Sequence, residues 1–221
     1  MPEIKRIRVL RKGRIKRPVE ILMDDGSTFI INREIATKAA LHVGDDITQK
    51  QLDSLIKEDR YKTCYDLALY YLSYRPRSEA ELRNHLVIKR KFNKDIVKDV
   101  IQKLKELKLI NDVAFAELWR DDRIRYKPKS RLMIKRELMQ KGVDAETVER
   151  ITSGLDDEDS AYNAGLKKAR LLKSLEWKEF YKRLAGYLGR RGYSSEVTNS
   201  VVRRLWQYVN PSLPGDKFLK F

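Results

Sequence analysis

Cysteine is almost missing from this chain of 221 residues, where Cys64 stands alone. One cysteine builds no intrachain disulfide framework and no cysteine-based zinc site. Histidine is nearly as scarce: His42 and His85 lie far apart, with neither HExxH nor a His/Cys cluster. His85 is expected on an exposed helix face. Walker A and GxGxxG patterns are absent. A Cys64 nucleophile would have no visible partner, and a small core residue is the simpler account. These gaps favour a non-enzyme, with no cofactor and no metal expected. No span approaches transmembrane length, and MPEIKRIRVL holds no apolar core of signal-peptide length. A cytoplasmic protein with no membrane partner is the expectation.

What is present is positive charge. Lys and Arg number 48 against 32 Asp and Glu, a formal net charge of +16. Such an excess points to a polyanionic partner, nucleic acid or an acidic protein surface.

The chain also repeats itself. Tyr126 to Val143, YKPKSRLMIKRELMQKGV, reads as a loop, a short amphipathic helix and a glycine stop. Ser130 suits the N-cap, Ile134 and Leu138 share one face, Arg131 and Lys135 line another, and Gly142 ends the helix. Sliding the sequence by 52 lays this stretch over Tyr74 to Leu86, YRPRSEAELRNHL. Tyr, Pro, Ser and Leu recur at four matching positions, and basic or aliphatic character recurs at four more. The next helix repeats too. Phe92, Ile96, Val100 and Leu104 match Val143, Thr147, Ile151 and Leu155, and then Tyr193, Val197, Val201 and Leu205. Asn93, Asp144 and Ser194 are the matching N-caps, each with an acid two residues on, Asp95, Glu146 and Glu196. A period of about 50 residues seen three times is the mark of tandem helical units.

The fold class follows. It is mainly α, with three tandem three-helix repeat units of helix-turn-helix type in an elongated array, preceded by a small α+β module with a β-hairpin. The expected domains are 1–60, the N-terminal module; 61–110, 111–156 and 157–210, the three repeats; and 211–221, a C-terminal tail where Phe218 and Phe221 could dock. In the module, the basic run RKGRIKR follows a weakly alternating Ile7–Leu10. Residues 19–23 and 27–31 form the hairpin around Asp24-Asp25-Gly26. Residues 32–41 look helical, with Ile35 and Ala39 inward and Ala36 a further candidate for that face, and Thr48 with Gln51 caps a helix to about residue 59. The repeat helices are expected near 62–74, 79–90 and 94–107; 113–126, 131–141 and 145–154; and 159–174, 177–190 and 195–208. Asp156-Asp157-Glu158-Asp159 is taken as a solvated linker before a helix start. Asp121-Asp122 fits an ion-pair network with Arg120, Arg123 and Arg125. Trp119, Trp177 and Trp206 are expected core anchors.

The candidate contacts are basic. One cluster is Arg75, Arg77 and Arg83. A second is Arg123, Arg125, Lys127, Lys129, Arg131 and Lys135. A third includes Lys167, Lys168, Arg170 and Lys173, and a fourth is Arg190 with Arg191. Phosphates suit such an array, because neutralising them releases counterions without reading sequence. Tyr74, Tyr126 and Tyr193 could stack on bases or cap the core at helix ends.

Residues 61 to 208 resemble the bacterial RecX family, regulators of the RecA recombinase. The resemblance rests on Arg75-Pro76-Arg77-Ser78, Glu81-Leu82-Arg83 and Leu86, then on Leu107-Lys108-Leu109-Ile110-Asn111-Asp112 with Phe115-Ala116 and Trp119. It continues through Glu137-Leu138, Lys141-Gly142-Val143 and Arg191-Gly192-Tyr193. The N-terminal module is similar to an extra domain that some members carry. Three departures stand out: Lys91 where the family often has Gly, one extra residue between Leu86 and Phe92, and Ser130 for a frequent Gly. The resemblance implies a body lying along the groove of the RecA–DNA filament. Bound there, it would block extension or promote disassembly, damping strand exchange, ATP hydrolysis and SOS repressor cleavage. The implied partners are the RecA filament and, more weakly, single- and double-stranded DNA, for a monomer. The alternative is a stand-alone basic helix-turn-helix DNA-binding module, although no helix concentrates Asn, Gln and Arg as a recognition helix does. A third class is an RNA- or ribosome-associated protein.

Overall fold

A computed structural model describes residues 2–10 and 18–211. The RKGRIKR run, Phe218 and Phe221 lie outside the described residues. The chain divides into two compact units, Met1–Arg77 with Glu81–Ile110, and Ser78–Ala80 with Asn111–Phe221.

The first unit opens with an antiparallel sheet in the order β1 (Ile4–Val9), β2 (Pro18–Met23) and β3 (Thr28–Asn32). The hairpin is β2–β3, with Val19 opposite Ile31 and Ile21 opposite Phe29. Gly26, at φ +84°, turns it. Val19, Ile21 and Met23 alternate inward, the period-two pattern of a strand buried on one face. The weakly alternating segment at Ile7 is β1, paired with β2 through Ile7 and Ile21. Asn32 accepts from Glu34 N and caps α1 (Arg33–Lys38), which turns Ile35 and Ala36 into the sheet's core. Ala39, expected inward, follows the helix end and is exposed.

The capping box of Thr48 and Gln51 starts α2 (Gln49–Ser73). Two helices with a break near residue 60 were expected here, yet one helix of 25 residues runs through. Neither Gly nor Pro lies between Gln49 and Ser73, so nothing interrupts the ladder. Leu52 and Leu55 pack on the sheet core, while Cys64 and Ala68 belong to the next core along. Asp59 Oδ1 accepts from Asn32 N at 2.6 Å and ties the middle of the helix to the end of β3.

That next core is the first repeat's: Cys64, Ala68, Leu82, Leu86, Val97, Val100, Ile101, Leu104 and Ile110. Burial pushes the Cys64 thiol up to about 12, so it is an inert core group. Helix α3 (Glu79–Asn84) does not continue as α-helix to residue 90. It passes into a π-helical stretch, His85–Lys89, closed by Arg90 N donating to His85 O at 3.1 Å. The residue that the sequence has in excess between Leu86 and Phe92 is absorbed in that wider turn. Lys91 then takes φ +61°, and Asn93 caps α4 (Lys94–Glu106).

The second unit holds α5 (Asp112–Arg125), α6 (Arg131–Gln140) and α7 (Ala145–Thr152), followed by α8 (Asp157–Leu171), α9 (Trp177–Gly189) and α10 (Ser195–Val209). Each triplet has its own core. Phe115, Ala116, Ile134, Leu138 and Val148 fill one; Phe180, Leu184, Leu188, Leu205 and Trp206 fill the other. Asp144 and Ser194 cap α7 and α10 as expected. Trp177 and Trp206 meet edge to face at 5.5 Å between ring centres.

Two joints of one construction lie in this unit. At the first, Ser78 Oγ donates to Lys141 O at 2.5 Å and Glu79 N donates to Asp112 Oδ1 at 2.8 Å. At the second, Ser130 N donates to Arg191 O at 3.0 Å and Arg131 N donates to Asp157 Oδ1 at 2.7 Å. Gly142 and Gly192 sit against these helix starts at φ +79° and +85°. A Cβ on Gly142 would run into that of Ala80, and one on Gly192 would stand 2.7 Å from Ser130 Oγ. The acidic run is therefore not a solvated linker. Asp156 accepts from Glu158 N and Asp159 N as the α8 N-cap, and Asp157 satisfies the first amide of α6.

Candidate functional site

The basic stretch that repeats most clearly runs from the end of α5 through the loop Tyr126–Ser130 into α6. Its centre is an acid, Glu137, which the sequence names only within the Glu137-Leu138 motif and not as a partner of the cations. Arg123 Nε donates to Glu137 Oε2 at 2.7 Å, Trp119 Nε1 donates to the same oxygen at 2.9 Å, and Lys129 pairs with Oε1. The Arg123 guanidinium lies 4.2 Å from the centre of the Trp119 ring, and Lys141 Nζ lies 4.9 Å from it. Burial pushes the Glu137 carboxyl up, but the bonds from Lys129, Arg123 and Trp119 outweigh it and hold the carboxyl below its ordinary range. The Arg131 and Lys135 stripe also meets a carboxylate: Arg131 Nη2 lies 2.6 Å from Glu149 Oε1 of α7, and Lys135 pairs with Oε2. Those charges pull the Glu149 carboxyl down.

Most of the candidate cations are thus engaged within the fold. Arg75 makes a two-toothed pair with Glu81 at 3.1 and 3.2 Å. Arg77 lies over Tyr71 at 4.1 Å, and Arg83 is half-buried in the last turn of α3. Arg191 stacks on Tyr187 at 3.6 Å, and Lys168 is half-buried near the end of α8. Arg170 donates to the Tyr208 hydroxyl at 2.9 Å. Arg125, Lys127 and Arg190 are exposed, and among the described residues they form no ion pair. The expected pairing of Asp121 with Arg120 and of Asp122 with Arg123 is present, at 2.9 and 2.6 Å.

The tyrosines divide. Tyr193 is buried and its hydroxyl bonds Ser160 Oγ at 2.8 Å, so it caps the core. Tyr126 is 74% exposed, which leaves its ring open to a ligand, whereas Tyr74, 63% exposed, meets Tyr70 edge to face at 5.0 Å and bonds its hydroxyl. His85 is not on an open helix face: it stacks on Tyr71 at 3.8 Å with an interplanar angle of 4°. Arg77 must cover the other side of that ring, because both groups cannot occupy one face at such distances. Burial, then Arg90, Lys89 and Arg77, press the His85 pKa down. Among the described residues no three His, Cys, Asp or Glu side chains are placed to hold a metal ion. None of the described helices is long and apolar enough to cross a membrane.

Three family models match the chain in order. They are RecX, first three-helix domain, at residues 64–104; second, at 111–150; and third, at 156–202. The chain belongs to the RecX family. A regulatory protein RecX of Clostridium perfringens strain SM101 is 31% identical over 201 residues, covering 89% of this chain and 93% of its own. The regulatory protein RecX of Bacillus subtilis is 28% identical over 95% of this chain and 79% of its own. Among solved structures, a crystal structure of a regulatory protein RecX superposes with a TM-score of 0.63 at 21% identity, over 91% of this chain and 98% of that one. RecX from Lactobacillus salivarius gives 0.57 at 24% identity, over 67% and 97%. These two likenesses speak for the fold. Lys91 stands where the other two repeats have Gly142 and Gly192, and among the described residues no helix start like that of Ala80 or Ser130 is seated on its turn. The departure is permitted because the exposed Lys91 side chain meets open solvent.

Proposed function

We propose that this protein is a non-enzymatic regulator of the RecA recombinase that binds the groove of the RecA–DNA filament. Bound there, it blocks extension or destabilises the filament, and so damps strand exchange, ATP hydrolysis and SOS repressor cleavage. The observation that carries the reading is the ordered match of all three RecX three-helix domains along one chain. The charge of +16 supports a partner rich in phosphate. Repeated units supply several modest contacts on one chain, and such contacts gain avidity without a single tight site. The contact residues in this reading are Arg75, Arg77, Arg83, Arg123, Arg125, Lys127, Lys129, Arg131, Lys135, Lys168, Arg190 and Arg191. Arg125, Lys127 and Arg190 are the ones free to meet phosphate without first giving up an internal partner. The protein acts as a monomer in the cytoplasm and binds free single- and double-stranded DNA more weakly, through phosphates.

The test is the ATPase rate of preformed RecA–ssDNA filaments as the protein is titrated in, beside a free-ssDNA binding curve at the same salt. Inhibition well below the concentration that saturates free DNA is expected. Inhibition only once the DNA is coated would mean competition for DNA, and would replace this reading with the stand-alone DNA-binding module.

A further inference from the structure

The turn after the second helix of each repeat carries cations, and in two repeats one of those cations is already occupied. Lys141 lies over Trp119, and its carbonyl accepts from Ser78; Arg191 lies over Tyr187, and its carbonyl accepts from Ser130 N. In the first repeat the corresponding turn is open. Lys89, Arg90 and Lys91 are all exposed there, and exposed Lys94 follows at the start of α4. Among the described residues none of the four forms an ion pair, whereas Arg75, Arg123, Lys129, Arg131 and Lys135 do. The nearest acid in sequence, Asp95, follows the run in the first turn of α4.

The geometry excludes the occupant that the other two turns receive. There a glycine at positive φ lets a helix start approach. Here a lysine holds that conformation, and four cations would face the positive end of an incoming helix. The π-helical stretch is what gives the turn its own course, and Arg90 Nε, 3.4 Å from His85 Nε2, leans back on the histidine with its outer nitrogens left free. Behind the turn an open groove of about 340 Å³ is lined by Asp53, Lys57, Arg60 and Asp95. Its charges balance, so the positive excess lies on the turn itself. Ile88, 59% exposed, is the large apolar side chain beside it, too little for the core of a protein interface.

We infer that Lys89, Arg90, Lys91 and Lys94 form a contact surface for the phosphodiester backbone of a nucleic acid. The inference deepens the function proposed above, since a regulator of a DNA-containing filament would meet such a backbone. Close-set flexible cations without counter-charges suit phosphates, which need neutralisation and not base reading.

The test compares two variants of the full chain with the wild type. One is Lys89→Gln/Arg90→Gln/Lys91→Gln/Lys94→Gln. The other removes four exposed cations elsewhere, Lys50→Gln/Lys178→Gln/Lys182→Gln/Arg203→Gln. Far-UV circular dichroism and a melting curve check the fold, and Lys89→Gln/Lys94→Gln serves as a lighter second variant. Binding to a labelled single-stranded oligonucleotide is followed by anisotropy across a salt series. The turn variant is expected to bind roughly tenfold or more weakly near 0.1 M salt, with the log–log salt slope shallower by about 2 to 3, from about 0.7 per lost phosphate contact. The control is expected to change far less. Equal effects in the two variants would mean that only net charge counts, and would overturn the inference. Unchanged DNA binding with lost filament inhibition would place an acidic protein surface on the turn, and would overturn it too. A shallower slope in the turn variant, with a wild type that leaves RecA filaments untouched, would uphold this surface and sink the proposed function instead.

Discussion

Glu137 shows how one carboxylate organises the most basic stretch of the chain. It takes donors from Trp119, Arg123 and Lys129, and its side chain and that of Arg123 are only 15% and 13% exposed. Removing the acid leaves a nearly buried guanidinium with only the more exposed carboxylate of Asp122, and that cost exceeds the worth of a surface pair. Glu137→Gln is expected to lose about 2 kcal/mol in urea unfolding at pH 7. The pH dependence has a definite sign. The folded carboxyl is held below its ordinary value, so its contribution is complete above the unfolded value of about 4.3 and fades as pH falls through the folded one. The gap between wild type and Glu137→Gln should therefore be constant from pH 7 to 5 and shrink below about pH 4. A gap that stays constant into acid would disprove the assignment. Arg125 and Lys127 are the contrasting case, exposed and without ion pairs. Arg125→Ala/Lys127→Ala should change stability by less than about 0.5 kcal/mol while weakening filament inhibition. Arg131→Ala/Lys135→Ala removes the partners of Glu149, which is 58% exposed, so the lost ion pairs should change stability little. The sequence placed these cations correctly on one helix face, but could not say that α7 brings an acid to that face.

At the scale of elements, the joint is the recurring device. A serine opens a helix, an acid from the following repeat satisfies the next amide, and a glycine turn seats against both. Ser78 and Ser130 are fully buried because each lies under such a turn. Capping by Ser130 and the stop at Gly142 were legible in the sequence, since both obey local rules. The acid contributed by Asp112 or Asp157 was not, because its partner is 33 or 26 residues away. The glycines are required twice over, by conformation and by space. Gly142→Ala and Gly192→Ala should each lose at least about 2 kcal/mol, from left-handed strain and a displaced neighbour. Lys91→Gly should instead gain about 0.5 kcal/mol, as relief of the φ +61° strain exceeds the added freedom of the unfolded chain. Thermal melts of the three variants check both signs, and a destabilised Lys91→Gly would mean that the turn is held by its side chain.

At the scale of the molecule, the described residues form four separate cores, one per repeat and one under the sheet. Helix α2 is shared by two of them, with Leu52 and Leu55 in the sheet core and Cys64 and Ala68 in the first repeat. The N-terminal module and the first repeat are therefore expected to exchange amide hydrogens as one cooperative block. Arg60→Pro interrupts the shared helix at an exposed position and should cost about 3 kcal/mol. Hydrogen exchange should then show the sheet opening before residues 64–104 do. Protection that still falls in both regions together would mean that the coupling does not run through α2.

What the sequence by itself determined is whatever neighbouring residues settle: helix caps, glycine stops, the hairpin, the spacing of apolar positions, and the threefold repeat that marks the family. Hydrogen bonds to adjacent amides and the 3.6-residue period of a helix act within a few residues, so they show in the order of side chains. Tertiary structure decided the rest. It turned the spare residue before Phe92 into a π-turn, and it paired Arg75, Arg123, Lys129, Arg131 and Lys135 with acids. Charges act through space and not along the chain, so which cations stay free depends on which helix faces pack together.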